Sequence, residues 1–253
     1  MSSSKKTILL TGASRGIGLA IANYLLKAEH NLVLVSRTAE PLQKLESQYP
    51  QQVAVLAKSL SEAEVSQSAV DLALSRFSRL DGVIVNHGVL DPVQRVVDTS
   101  DAEFRESWNV NFFSAVAIAR AAVPELRKTK GALILVSSGA ATSAYTGWGA
   151  YGGAKAAVNH LAATLGREEP DVVSLAIRPG VVDTDMQKDI REKHSGGMDA
   201  GDSKKFAELK SSGGLLKPEQ PGHVMAKLVL NAPKGLSGQF LTWNAEELNT
   251  FQE

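Results

Sequence analysis

An apolar, partly β-branched run at 7–10 leads directly into Thr11-Gly12-Ala13-Ser14-Arg15-Gly16-Ile17-Gly18, within which a helical pattern begins. A strand feeding a glycine turn and then a helix presents free backbone N–H groups at the helix amino end, a geometry that suits a pyrophosphate. Gly12 permits the turn, Gly16 lets backbone approach the phosphate, and Gly18 lets the helix pack closely on a sheet. Ser14, Arg15 and Ile17 belong to the same loop and are read as part of the same site. The residues also spell G-x-S-x-G, a nucleophile elbow that would make Ser14 the nucleophile of a hydrolase. Its position argues against that reading, because a hydrolase elbow follows several strands whereas Ser14 follows the first.

Strand and helix patterns alternate along the chain. Short apolar runs at 7–10, 32–35, 53–56, 83–85, 132–136 and 172–177 read as buried parallel strands, and 239–242 as a last one. Helical stretches are expected at 16–29, 41–48, 61–77, 104–127 and 151–165, with another starting at Pro218. Ser61 with Glu64 and Ser100 with Glu103 have capping-box spacing at two helix starts. Such alternation predicts a single-domain α/β fold over 1–253, a Rossmann-like, doubly wound parallel sheet of about seven strands with helices on both faces. Ligands then sit beyond the carboxyl ends of the strands. The segment 185–214, rich in charge, glycine and serine, reads as a flap over that site, with a plain surface excursion as the alternative.

Composition narrows the function. The 253 residues carry 27 basic and 27 acidic side chains, so no electrostatic footprint for nucleic acid is expected. The chain contains no cysteine, which removes disulfides, thiolate metal sites and cysteine nucleophiles, and no metal is expected. The start, MSSSKK, lacks the apolar stretch of a secretory leader, and no segment has the length of a membrane span. The cytoplasm is the expected location and a small molecule the expected ligand.

A ribose-binding acid after the second strand would signal NAD. The chain instead reads Val35-Ser36-Arg37-Thr38. Arg37, with Arg15 from the other side, suits a 2′-phosphate, because a guanidinium forks onto phosphate oxygens; this points to NADP(H). Two solvated arginines are the plainer alternative.

Helix 151–165 carries Tyr151 and Lys155 at i and i+4, so both project from one face. A nearby ammonium favours the phenolate and is expected to bring the Tyr151 pKa toward neutrality, making tyrosine the proton carrier and lysine its tuner. Ser138, thirteen residues earlier at the end of a strand, is placed to hold a substrate oxygen.

Taken together, TGASRGIG, Asn86-His87-Gly88, Asn111, Ser138, Tyr151, Lys155 and Pro179-Gly180 resemble the short-chain dehydrogenase/reductase family along nearly the whole chain. The resemblance implies a catalytic tetrad of Asn111, Ser138, Tyr151 and Lys155, with Asn111 in a helix distortion that binds a relay water. It implies that Lys155 also grips the nicotinamide ribose, and that Pro179, Gly180, Val182 and Thr184 line the nicotinamide and phosphate side. Ser36, Leu60, Asn86 and Gly88 are the remaining implied cofactor contacts. Two departures stand out: the family's Asn-Asn-Ala-Gly becomes Asn86-His87-Gly88, and the usual acid near adenine is replaced by Ser59. His87 reads as a structural histidine rather than a base. The stretches SSGA, GWGAYGGAKAAVNH, RPGVVDTDMQKDIRE and SGQFL resemble the fungal sepiapterin reductase-like and benzil reductase-like branch.

The expected activity is therefore NADPH-dependent reduction of a ketone or diketone, with Tyr145, Trp148 and Met186 forming an apolar wall beside Ser138 and Tyr151. Pairing through helices 104–127 and 151–165 into a homodimer or homotetramer is implied by the family. A nonenzymatic NADP(H)-binding regulator is the rival from another class, since a fold alone does not establish activity.

Overall fold

The computed structural model describes residues 5–62 and 64–252. Met1 to Ser4, on which the reading of the leader rests, fall outside the described residues, as do Ala63 and Glu253. In chain order the elements are β1 (Thr7–Thr11), α1 (Gly16–Lys27), β2 (Asn31–Val35), α2 (Ala39–Gln48), β3 (Val53–Leu56), α3 (Val65–Phe77) and β4 (Gly82–Val85). They are followed by α4 (Asp101–Trp108), a π turn (Asn109–Phe113), α5 (Ser114–Thr129), β5 (Ala132–Val136), α6 (Gly149–Glu168) and β6 (Val173–Arg178). The chain closes with α7 (Asp185–Glu192), α8 (Ala200–Ser211), α9 (Glu219–Asn231), β7 (Phe240–Thr242) and α10 (Asn249–Gln252).

The seven strands form one parallel sheet in the order β3-β2-β1-β4-β5-β6-β7. Its winding reverses between β1 and β4, so a crevice opens at their carboxyl ends. Side chains alternate across the sheet with the period of two that a strand imposes. Ile8, Leu10, Ile84, Ile134 and Leu175 pack under α1, α2 and α9, while Leu9, Val33, Val83 and Leu133 pack under α3, α5 and α6. Both faces are covered, which is why the strands read as continuous apolar runs; each fully buried Leu or Ile contributes roughly 1.5–3 kcal/mol. At the opposite edge, Asp81 accepts from Thr7 N and from both Arg79 Nε and Nη2, tying the entry of β1 to that of β4.

Three expectations need correction. The helix expected at 61–77 begins at Val65: Glu64 takes helical dihedrals without capping, and the Ser61 hydroxyl pairs with Ser59 Oγ at 2.8 Å instead. The helix expected at 104–127 is two helices joined by the π turn, because Asn111 and Ser114 spend their side chains on nearby carbonyls. Segment 185–214 holds α7 and α8 rather than a loop; its charges are solvated helix faces, and Phe206 is the one buried side chain of α8. The Ser100–Glu103 capping box forms as expected at the start of α4.

Gly18 lies behind the glycine turn, where a methyl group would stand 2.1 Å from the Gly12 carbonyl oxygen and 2.7 Å from Asn86 Nδ2. The backbone cannot yield there without moving the turn. Gly18→Ala is expected to lower stability by about 1–3 kcal/mol, measured as a drop in the urea midpoint; an unchanged midpoint would refute this packing account.

Candidate active site

A groove of about 310 Å³ runs along the strand ends over β1 and β4. Gly12, Ser14, Arg15, Gly16 and Ile17 border it from the glycine turn, with Ser36, Arg37 and Leu60 on one side and Asn86, Gly88, Lys155 and Thr184 on the other. Gly12 and Gly16 hold φ of +66° and +54°, the left-handed region that glycine tolerates, and a methyl at Gly12 would strike His87 backbone at 2.9 Å. α1 opens with no side-chain cap and no acid in its first turn, so its N–H groups face the groove without a competing side chain. Ser14 accepts a hydrogen bond from Ser36 Oγ (3.1 Å) and, among the described residues, is not hydrogen-bonded to the histidine that a nucleophile elbow would require.

A second cavity, about 130 Å³, adjoins the groove. Tyr145, Trp148 and Met186 line it together with Ser138 and Tyr151, and Leu90, Ile190 and Phe206 add to its apolar wall. Trp148 stacks on Phe206 at 5.5 Å and 11°, meets Tyr145 at 4.8 Å, and stands edge-on to Tyr151 at 5.9 Å. Gly180 and Val182 border this cavity rather than the groove, and Pro179 borders both.

Tyr151, in the first turn of α6, borders both spaces; Lys155 borders only the groove and Ser138 only the apolar cavity. The Ala140 N–H donates to Ser138 Oγ (3.1 Å) and fixes that hydroxyl at the end of β5. Burial raises the Tyr151 pKa above its ordinary value, and the hydrogen bond with Ser138 pulls it back only in part. The expected tuning by Lys155 is thus not what the folded chain does. Lys155 Nζ donates to the Val136 carbonyl at 2.8 Å and lies 5.9 Å from the centre of the Tyr151 ring, while burial pushes its own pKa down to about 8.

Asn111 is buried in the π turn and lines neither space. Its Oδ1 accepts from Val89 N (3.0 Å), and its Nδ2 donates to the carbonyls of Val89 (2.8 Å) and Ser107 (3.0 Å). Gly88 keeps the intervening space narrow: a methyl there would lie 2.9 Å from Asn111 Oδ1 and 3.5 Å from Lys155 Nζ.

Both ring nitrogens of His87 are engaged. Ser114 Oγ donates to the Val110 carbonyl (2.7 Å), so it accepts from His87 Nε2–H (2.7 Å), and the Thr11 hydroxyl donates to His87 Nδ1 (2.7 Å). Burial, helped by the Lys155 charge, lowers the His87 pKa to about 3, keeping the ring neutral. Sequence reading missed Thr11, Ser114, Lys58 on the groove wall and Phe206. Thr11 opens the glycine loop but has no role of its own in that reading, Ser114 carries no motif, Lys58 lies beyond the second strand where the ribose signal is sought, and Phe206 sits amid the charges of α8.

Among the described residues no cluster of three or more His, Cys, Asp or Glu is placed to hold a metal, and no helix is long and apolar enough to cross a membrane.

A sheet that reverses its winding at a glycine turn, with a buried tyrosine and lysine beyond the neighbouring strand end, is the plan of a doubly wound dehydrogenase. Residues 6–195 match the family model for short chain dehydrogenase. The chain is 42% identical over 243 residues to an uncharacterized oxidoreductase of Schizosaccharomyces pombe, spanning 95% of this chain and 97% of that protein. It is 37% identical over 260 residues to a benzil reductase ((S)-benzoin forming) of Saccharomyces cerevisiae, spanning 98% and 99%. The crystal structure of a short chain dehydrogenase/reductase from Saccharomyces cerevisiae superposes with a TM-score of 0.95 at 39% identity, covering 98% of this chain and 100% of that one. The chain belongs to the short-chain dehydrogenase/reductase family of oxidoreductases, within its benzil reductase-like branch.

Buried Lys155 carries a stability signature. Its folded pKa of about 8 lies below the 10.5 of an ordinary lysine, so between those values the unfolded chain holds a proton that the folded chain has lost. Stability gains from this group as pH rises through that window. Lys155→Met is expected to raise the melting temperature at neutral pH and to flatten the slope between pH 8 and 10.5; an equal slope in both proteins would contradict the assignment.

Proposed function

We propose that the chain is an NADP(H)-dependent carbonyl reductase that acts on a ketone or diketone, with Tyr151 as proton donor. The observation that carries this reading is the position of Tyr151 between two spaces, with Lys155 toward the groove and Ser138 toward the apolar cavity. The kinship with a benzil reductase of Saccharomyces cerevisiae supports a diketone or other activated carbonyl, of benzil or sepiapterin type, as substrate.

The groove fits the dinucleotide. Gly12 and Gly16 bring backbone close, α1 offers uncapped N–H groups, and no acid stands at the end of β2 to take a 2′-hydroxyl. Arg37 and Lys58 are exposed on the groove wall without an ion pair or side-chain hydrogen bond among the described residues, which suits a 2′-phosphate. Arg15 is engaged by Asp185 at 2.9 Å and is the secondary contact. When bound, the reduced nicotinamide supplies hydride to the carbonyl carbon.

The chain's residues manage the oxygen. Ser138 holds it by hydrogen bond in the cavity, and Tyr151, kept neutral by burial, gives its proton as negative charge develops there. Lys155 holds the ribose side of the groove and, through Asn111 and a water, refills the phenol from solvent. Tyr145, Trp148 and Phe206 exclude bulk water, and 185–214 acts as the flap, presenting Met186, Ile190 and Phe206 to the substrate. The setting is the cytoplasm, and the working form is a homodimer or homotetramer paired through α4–α5 and α6, near which Phe113 is half exposed.

Tyr151→Phe is expected to cut ketone reduction by about 10²-fold or more while NADPH still binds, measured by NADPH absorbance and by fluorescence titration. Full activity in that variant would refute the assignment. Arg37→Ala is expected to weaken NADPH binding by about tenfold relative to NADH; equal losses for the two cofactors would assign Arg37 to general attraction instead.

A further inference from the structure

The apolar cavity contains one charge that the proposed reaction does not use. Of the residues bordering it, only Arg178 is ionised; no Asp, Glu or Lys lines the wall. Arg178 is the last residue of β6, half-buried, and its guanidinium makes neither a hydrogen bond nor an ion pair with any described residue. Several other arginines are engaged, Arg79 with Asp81, Arg127 with Glu169, Arg15 with Asp185, and Arg76 with the Pro50 carbonyl; Arg37 is unpaired like Arg178, but it is exposed on the groove wall rather than half-buried in the apolar cavity.

Its place is specific. β6 pairs with β5 in register, and Ser137 N donates to the Ile177 carbonyl, so Arg178 stands beside the Ser137-Ser138-Gly139 turn. The guanidinium occupies room left by the missing side chain of Gly139: a methyl there would lie 3.0 Å from Nε and 3.2 Å from Nη2. A planar cation is thereby laid next to the serine read as the holder of the substrate oxygen. A half-buried guanidinium without a counter-charge retains a desolvation cost that a carboxylate relieves by forked hydrogen bonds.

We infer that Arg178 is a specificity-determining residue that binds a carboxylate on the substrate, so that the cavity favours a keto acid whose carboxylate lies close to the reducible carbonyl. The inference rests on the carbonyl reductase reading. The carboxylate binds through Arg178 and is unchanged by the reaction, while the apolar part of the substrate lies against Tyr145, Trp148 and Phe206.

Phenylglyoxylate and its methyl ester test this, because they share a ketone and an aryl ring and differ in charge. The native chain is expected to show the higher kcat/KM for the acid. In Arg178→Leu the acid-to-ester ratio is expected to fall by about 10- to 100-fold, carried by KM for the acid, with Arg178→Lys recovering part of it. Binding of mandelate, the product of phenylglyoxylate reduction, is followed by tryptophan fluorescence with NADP⁺ present, and is expected to weaken in Arg178→Leu while NADP⁺ affinity holds. An acid-to-ester ratio that does not change in Arg178→Leu, or equal loss of both substrates, overturns the inference and leaves the reductase reading standing. Mandelate binding that depends on Arg178 without reduction of either ketone supports the anion site and refutes the reductase reading. Neither binding nor reduction overturns both.

Discussion

Three segments that are far apart in sequence meet at the Thr11 hydroxyl, and the groove depends on that meeting. It accepts from Asn86 N at 3.0 Å and donates to His87 Nδ1 at 2.7 Å, and His87 passes the connection to Ser114 at the start of α5. Asn86 reaches back through Nδ2 to the carbonyls of Thr11 and Gly12. The end of β1, the segment after β4 and the π turn are thereby held in one arrangement with their polar groups satisfied. Buried polar groups tolerate little displacement once paired, because each lost partner leaves a desolvation cost of about 1–3 kcal/mol. The tight approach of Gly12 to His87 and of Gly18 to Gly12 is a consequence of this fastening, and glycine is the residue that fits.

The same burial that rigidifies the site sets its protonation states. Tyr151 and Lys155 occupy one face of α6, and desolvation shifts them in opposite directions, the phenol upward and the ammonium down to about 8. Both shifts favour the uncharged form, as removal from water requires. The spacing of the two residues correctly placed them together, but the Coulomb argument drawn from spacing assumed that the lysine spends its charge on the tyrosine. Lys155 spends it on the Val136 carbonyl at the end of β5. In the proposed reaction this leaves a neutral acid at neutral pH, with Ser138 as the group that biases the phenol toward release.

Features written in local spacing were legible in the sequence. The glycine turn, the alternating strands, the Ser100 capping box and the Tyr151–Lys155 pair each depend on neighbours within a few residues. Features that depend on which distant segment arrives nearby were less so. The spacing alone does not distinguish Ser61–Glu64, which caps no helix, from Ser100–Glu103, which does; the difference lies two residues upstream, where Ser59 offers Ser61 another partner. The break at Asn109–Phe113 was implied by family resemblance rather than by periodicity, since NVNFF continues an apolar pattern. Charge and glycine made 185–214 look like loop, yet one aromatic, Phe206, docks α8 onto Trp148.

Arg15 and Arg37 look alike as sequence signals, but the fold separates them. Arg15 faces the first turn of α7 and pairs with Asp185, so the glycine turn and the segment at 185–214 are linked across the mouth of the groove. Both partners are exposed, and such a pair is worth about 0–1 kcal/mol. A link that weak does not by itself hold the two segments together. What the pair does change is availability. With Arg15 facing a carboxylate, the unpaired positive charge on the groove wall is concentrated at Arg37 and Lys58, beyond β2 and β3. An anionic group at the far end of a bound dinucleotide would meet its strongest attraction there, away from the acid at the start of α7. In the proposed NADP(H) reading, cofactor choice then depends on two strand ends acting together rather than on the glycine turn alone.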